Sequence, residues 1–396
     1  MNNNDNSIEE KIVIQTQDVQ DQNDRFHRFS LIGWWDQKKL RNAKVLVVGA
    51  GALGNEIIKN LALLGIGNLF IADLDNIENS NLSRSVLYRA ADNGASKAQT
   101  AARRAKEIYP DMNVNYFHGN VIYDLGLGVY HWADVVLGGL DNREARLSIN
   151  RNCWKLNKPW IDGAIEQISG VARVFQPDGP CYECTMSEMD WTVLNRRRSC
   201  NLLSRSEMEL GKTPTTPTIS SIIAGVQCQE AVKLLHGMET IAGKGFVYNG
   251  ITTDSYLVEY QKKEDCFSHD IADEIISLDK SVNDLTVSQA LEIARNYAGS
   301  EAVLEFNRDI LEKMVCPNCS QEEYLFISLG KAGTELAQCP HCGKNRTPQT
   351  LFTVSGSEPW LGKTLKEIGI PPFDILWARG RERLIGLEMA ADNFIK

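Results

Sequence analysis

Residues 44–49, KVLVVG, run straight into GAGALG at residues 49–54 and then into a helical pattern over 55–64. This order, buried strand, glycine turn, helix, constrains the chain more than any other feature. Such a turn presents backbone N–H groups and the positive end of a helix to an anion. A second strand, 68–72, ends on Asp73, where a carboxylate can accept from ribose hydroxyls. Gly49, Gly51, Gly54 and Asp73 together point to a nucleotide. On these residues alone NAD is the favoured one, and the plain structural alternative is a set of glycines that only permits close packing.

Later residues shift the balance toward a triphosphate. Asp73-Leu74-Asp75 continues through Asn81 and Arg84, Lys97 follows, and Asp141 stands just after the apolar strand run ADVVLGGL. Phosphoryl or adenylyl transfer needs cations over the triphosphate and a carboxylate for Mg2+, whereas hydride transfer needs neither.

Around this core, helices are expected over 95–108, 143–156 and 219–236, and strands over 114–117, 133–137, 160–162 and 245–249. Regular alternation of short strands and amphipathic helices is a doubly wound α/β pattern. Residues 1–24, rich in Asn, Gln and Asp, read as a flexible acidic leader. Residues 186–217 lose periodicity and exceed ordinary loop lengths, which suggests a functional crossing loop. The character changes near residue 270. Beyond it a helix over 287–297, a cysteine-rich segment, strands at 350–354, 374–378 and 383–387, and a short helix at 361–368 outline a small α+β module.

Composition excludes some functions. A formal net charge of −9 over 396 residues argues against a nucleic-acid backbone as the main ligand. No apolar stretch approaches the roughly 18 residues of a transmembrane helix, and the polar start is no signal peptide. A cytoplasmic protein without membrane or nucleic-acid partners is expected, and in that compartment C-x-x-C pairs read as metal sites sooner than as disulfides.

The segments GAGALG, ADLDNIENSNLSRS, SKAQ, GGLDN and CYEC, in that order, resemble the ThiF, MoeB and HesA group and the adenylation halves of ubiquitin-activating enzymes. The resemblance covers about 25–270. It implies a Rossmann-like adenylation domain that uses ATP on the C-terminal glycine of a ubiquitin-like or sulfur-carrier-like protein, in an obligate homodimer. Carried over residue by residue, it gives the ribose to Asp73, phosphates to Asn81, Arg84 and Lys97, and Mg2+ to Asp141. Arg28 is similar to the arginine that reaches the ATP of the neighbouring subunit. Ser85, where the family usually has Gln, and the glycine-rich GGLDN are departures.

Two metal sites are expected. Cys181 and Cys184 with Cys266 and His269 offer four ligands for Zn2+, and His269 departs from the family's usual cysteine. Cys316, Cys319, Cys339 and Cys342 read as a zinc ribbon over 316–342, holding together a module whose apolar core is expected to be small. Cys200 follows Arg196, Arg197 and Arg198, charges that favour thiolate. It is either the nucleophile of a thioester with the partner or an incidental loop cysteine in an enzyme that only adenylates. A non-catalytic scaffold is the other alternative. For 271–396, docking of the partner, a downstream acceptor or a conjugating enzyme competes with plain stabilisation.

Overall fold

The computed structural model describes residues 24–192, 214–391 and 394–395. Its first layer is an eight-stranded sheet: β1 (Lys44–Val48), β2 (Asn68–Asp73), β3 (Asn113–His118), β4 (Val135–Gly138), β5 (Trp160–Glu166), β6 (Ser169–Phe175), β7 (Lys244–Asn249) and β8 (Asp254–Glu259). The strand order is β3-β2-β1-β4-β5-β6-β7-β8. The first five strands run parallel, and from β5 onward each pairs antiparallel with the next. The order reverses between β1 and β4, which opens a crevice at the carboxyl ends of the parallel strands.

Helices close both faces. On one side lie α2 (Ala52–Leu64), α3 (Lys97–Ile108) and, from beyond the crossing segment, α6 (Pro217–His236). Their Leu53, Ile57, Ala101, Ile223 and Ala231 pack on Val45, Val47 and Ile71 of the sheet. α2 ends at Gly65 in the left-handed conformation, the usual way to satisfy the last carbonyls of a helix. A short α1 (Gln37–Asn42) precedes the sheet, capped by the Asp36 carboxylate. On the other side α4 (Gly128–Trp132) and α5 (Arg143–Lys155) share a core with Leu46, Val48 and Phe70.

The same second core takes in Ile375, Trp377 and Leu384 from the C-terminal part of the chain. There β9 (Glu274–Ser277), α7 (Val287–Ala298), β10 (Val303–Val315), β11 (Glu322–Ser328), β12 (Thr347–Val354), β13 (Ile375–Arg379) and β14 (Leu384–Glu388) build a six-stranded sheet. Its order is β11-β10-β13-β14-β9, with β12 on β10. α7 starts from a capping box in which the Thr286 hydroxyl accepts from Gln289 N–H and the Gln289 side chain returns to Thr286 N–H.

Two readings of the sequence are corrected, and several strands are added to it. Residues 361–368 form turns, not a helix. They include Gly362 and are followed by Gly369 at φ 88°, and Thr364 caps Glu367 locally; a segment so short gains too few bonds to offset helix nucleation. The C-terminal module also has a substantial core of its own, with Leu285, Leu291, Leu304, Ile310, Leu376 and Ile385 buried together. Metal therefore does not stand in for a missing core. Finally, β6, β8, β9, β10 and β11 are strands that the sequence patterns did not single out.

A buried ion pair fastens the two layers. Arg308 of β10 meets Asp374 through Nη2 at 3.0 and 2.9 Å and donates to the Tyr123 and Leu125 carbonyls. Asp374 in turn accepts from Leu127 N–H at 2.8 Å. Among the described residues no helix is long and apolar enough to cross a membrane.

Candidate functional site

The glycine turn sits at the carboxyl end of β1, and its residues are forced by backbone contact. Gly49 has φ 93°, and a Cβ there would lie 2.5 Å from the Gly139 carbonyl oxygen. A Cβ on Gly54 would fall 1.9 Å from the Gly49 oxygen, so the start of α2 is pressed against the end of β1. Gly139, unremarked beyond its departure from the family pattern, completes this contact: a Cβ on it would stand 2.8 Å from Gly54 N. Gly51 differs, since nothing lies within 4 Å of a Cβ built on it. The space above the turn is open on the side where α2 presents its unsatisfied N–H groups.

Neighbouring side chains hold the turn in shape. Asp73, at the end of β2, accepts from Ala50 N–H at 2.7 Å with one oxygen and from Asp75 N–H at 2.7 Å with the other. The Asn55 amide donates to the Ala50 and Gly51 carbonyls at 2.6 and 3.0 Å and accepts from Leu87 N–H at 2.9 Å. The Tyr88 hydroxyl bridges the Ala50 and Lys97 carbonyls at 2.6 and 3.2 Å, which couples the turn to the start of α3. Burial pushes that hydroxyl's pKa up, keeping it a donor.

Charge accumulates at the same edge. Lys97, the first residue of α3, pairs with Asp75 at 2.8 Å. Burial acts to lower its pKa, but Asp73, Asp75 and Asp141 outweigh burial and the ammonium is held charged. For Asp73 burial wins over Lys97 and the two N–H donors, and its pKa is raised. Asp141 follows β4, is exposed, and has no hydrogen bond or ion pair among the described residues. Arg84 is half-buried and donates to the Ser80 carbonyl at 2.8 Å. Asn81 is buried, and its Oδ1 accepts from Glu78 N–H at 3.0 Å, so only its NH2 is left to face a ligand. The Ser85 hydroxyl is buried without a partner among the described residues.

Beneath the site lies an ionic group that the sequence did not announce. Asp162 of β5, fully buried, receives Arg146 Nε at 2.9 Å and Arg173 Nε at 3.0 Å. Arg146 also donates to the Leu140 carbonyl, directly before Asp141, and to Gly163 O at 2.9 Å. Gln227 of α6 donates to Gly138 O at 2.9 Å. The one sequence signal was a carboxylate inside an apolar strand, since a buried charge needs paired cations.

Arg28 lies elsewhere. Its 3-10 turn, His27–Leu31, is anchored by Phe26 against Tyr109 and Gly65, and Arg25 donates to Ile108 O at 2.8 Å. Ile108 ends α3 and Gly65 ends α2, so this turn is anchored at the end of α3 that lies roughly 17 Å of helix rise from Lys97. Cys200 and Arg196–Arg198 lie outside the described residues.

The structure gathers both cysteine sets. Cys181 Sγ lies 3.6 Å from Cys184 and from Cys266, and Cys184 Sγ lies 3.4 Å from His269 Nε2. His269 stacks on Trp154 at 4.1 Å. In the second set Cys316 is 3.5 Å from Cys342, and Cys319 is 3.6 Å from Cys339. A tetrahedral Zn–S shell at about 2.3 Å puts sulfurs about 3.8 Å apart, so both donor sets fit that ion.

Comparison with known proteins bears on residues 23–268, which match the ThiF family profile. The SAMP-activating enzyme E1 of Haloferax volcanii is 31% identical over 61% of this chain and 87% of its own length. A probable molybdopterin-synthase adenylyltransferase of Pyropia yezoensis is 36% identical over 55% of each chain, so this chain spans about half of that relative. Among solved structures, E. coli MccB with ATP superposes with a TM-score of 0.53 at 22% identity, over 63% of this chain and 75% of that one. This last likeness is one of fold.

Proposed function

The chain belongs to the ThiF family, and from that membership we propose that it uses ATP to adenylate the C-terminal carboxylate of a ubiquitin-like or sulfur-carrier-like protein. The observation that carries the reading is the conjunction of a glycine turn whose Gly51, at the α2 N-terminus, has nothing within 4 Å of a built Cβ, with a charged Lys97 that interacts with Asp73, Asp75 and Asp141. In this reading Gly49, Gly51 and Gly54 cradle phosphate, Asp73 takes the ribose with the lone pairs its N–H partners leave, and the Asn81 NH2, Arg84 and Lys97 hold phosphate oxygens. Lys97 exchanges its Asp75 partner for the nucleotide. Asp141 is the free carboxylate for Mg2+, which supplies charge neutralisation over the triphosphate when bound.

An oxygen of the partner's carboxylate attacks the α-phosphorus. A P–O bond forms, the bond from the α-phosphorus to the bridging oxygen breaks, and pyrophosphate leaves with the electron pair. No proton transfer is required. Arg28, distant from its own chain's crevice, serves the site of a second copy in a homodimer. Both cysteine sets hold structural Zn2+, the second as the ribbon 316–342 of a C-terminal module over 271–396, and a reducing cytoplasm suits them. Cys200 then displaces AMP to form a thioester before transfer to a downstream acceptor.

Pyrophosphate exchange tests the reading. With ATP, Mg2+ and small co-encoded proteins ending in Gly-Gly, labelled pyrophosphate should enter ATP only when the right partner is present. Background exchange with every candidate overturns it. Cys200→Ser should keep exchange and lose any thiol-sensitive adduct, whereas a wild type that exchanges without forming an adduct is adenylation-only.

A further inference from the structure

Residues 119–127 follow β3 and lead into α4 as bends and turns, without a strand or helix of their own. Their first residue is tied to the proposed ligand crevice. Gly119 N–H donates to the Asp73 carbonyl at 3.1 Å. His118, the register partner of Asp73, has its Nδ1 3.0 Å from the hydroxyl of Ser96, the residue before Lys97. The segment therefore stands as the crevice wall on the β3 side of Asp73, away from the glycine turn on β1. Asn120 stiffens it: its carbonyl accepts from Asp124 N–H at 2.8 Å and its Oδ1 from Ile122 N–H at 2.9 Å.

Further along the segment, the hold passes to the C-terminal module. Arg308 Nη1 donates to Tyr123 O at 2.6 Å, both its Nη atoms reach Leu125 O at 3.2 Å, and Asp374 Oδ1 accepts from Leu127 N–H at 2.8 Å. Phe373 carries the contact on: its carbonyl accepts from Gly128 N–H at 2.9 Å, and its φ of 51° is one that a bulky residue seldom adopts. A Cβ on Gly126 would stand 2.3 Å from the Pro372 carbonyl oxygen and one on Gly128 2.5 Å from that of Phe373, so backbone lies on backbone. Arg308 is 6% exposed and Asp374 0%. Burying two charges is a costly way to fasten layers that apolar side chains would pack as well. What an apolar pair could not do is aim two carbonyls and an N–H.

We propose that Arg308 and Asp374 are positioning residues for the nucleotide site: from a module outside the family-matching residues 23–268, they fix 119–127 and with it the crevice wall beside Asp73. The inference rests on the proposed adenylation reading and adds a dependence of ATP binding on the C-terminal module. A wall touches ATP and the transition state alike, so loosening it raises KM more than it lowers kcat.

The test separates positioning from stability, in the full chain. Arg308→Lys keeps a cation beside Asp374 but lacks the planar fork that reaches two carbonyls. Arg308→Met with Asp374→Leu removes both buried charges together, which spares the fold the cost of one left unpaired. Leu291→Ala opens a cavity in the module's own core, which takes in none of 119–127, and controls for lost stability. Both Arg308 variants should raise the KM for ATP in pyrophosphate exchange about tenfold and leave kcat within about twofold. Leu291→Ala should lower the melting temperature and leave that KM at the wild-type value. Hydrogen exchange of the 119–127 amides, measured without ATP, should accelerate about tenfold or more in the Arg308 variants and stay unchanged in Leu291→Ala. A folded Arg308 variant with wild-type KM, or a KM that rises equally in Leu291→Ala, overturns the proposal. A wild type that neither binds ATP by calorimetry nor exchanges pyrophosphate removes the adenylation reading instead. Amide exchange then decides whether Arg308 positions the segment, and unchanged protection of 119–127 in its variants overturns that too.

Discussion

Asp141 is the residue on which the proposed chemistry most depends and the one least occupied by structure. Asp73 and Asn81 each have oxygens committed to backbone N–H groups, and Lys97 is paired with Asp75, but Asp141 is exposed and bonded to nothing described. A group held for a ligand is left unsatisfied by its own chain, whereas a structural carboxylate at a strand end is normally engaged. Asp141→Ala should therefore leave melting temperature and circular dichroism unchanged and lower partner-dependent exchange about a hundredfold or more. Wild-type exchange in D141A would show that the carboxylate has no part in catalysis. The glycines argue in the opposite sense. A Cβ at Gly139 or Gly54 would meet backbone rather than a movable side chain, so substitution there disturbs folding and activity together and cannot isolate chemistry.

At the scale of elements, the contact between α4 and β14 carries a titratable link. Glu388 of β14 accepts from Ser277 Oγ at 2.7 Å and meets His131 Nδ1 of α4 at 2.7 Å. Burial acts to raise its pKa, but His131, Ser277 and Lys158 outweigh it, and the carboxyl lies below its ordinary 4.5. Because the folded pKa is the lower one, the stabilisation is fully present above about 4.5 and is lost as pH falls through the folded value. Glu388→Gln should cost about 1.5 kcal/mol in urea unfolding at pH 7, and the difference from wild type should shrink as pH falls below 4.5. A difference independent of pH would mean that packing, not charge, joins these elements. The two cysteine sets are also links between elements: one joins the ends of β6 and β8, the other the turns that follow β10 and precede β12. Metal analysis of the purified chain should return two zinc ions, one lost on replacing Cys316 and Cys319 and the other on replacing Cys181 and Cys184.

For the whole molecule the informative residue is Arg28, whose 3-10 turn is anchored beside the C-terminal ends of α2 and α3, whereas Lys97 begins α3. If it acts, it acts on another copy. Mixing Arg28→Ala chains with Asp141→Ala chains should restore about a quarter of wild-type exchange, since mixed dimers then hold one intact composite site. Verified mixed dimers without restored exchange would confine Arg28 to a structural role.

The β1 strand, its glycine turn, Asp73 and the alternation of strands and helices were legible because each is local: neighbours in sequence remain neighbours in space. The cysteine pairs were legible for the same reason, as a C-x-x-C knuckle is one turn of chain. Strand β8 was not, because both its faces are largely exposed and no apolar period marks it. Residues 361–368 misled because their apolar spacing suits a helix, while contacts with Thr286 and the two glycines hold turns. Asp162 gained its partners Arg146 and Arg173 only when α5 and β6 closed on β5. The hold of Arg308 on residues 119–127, the distance of Arg28 from its own crevice and the freedom of Asp141 likewise depend on how layers stack. Local order follows from the backbone preferences and spacing of adjacent residues; which distant side chains meet, and which are left for a ligand, is decided by burial of apolar surface between layers, a property of the folded chain as a whole.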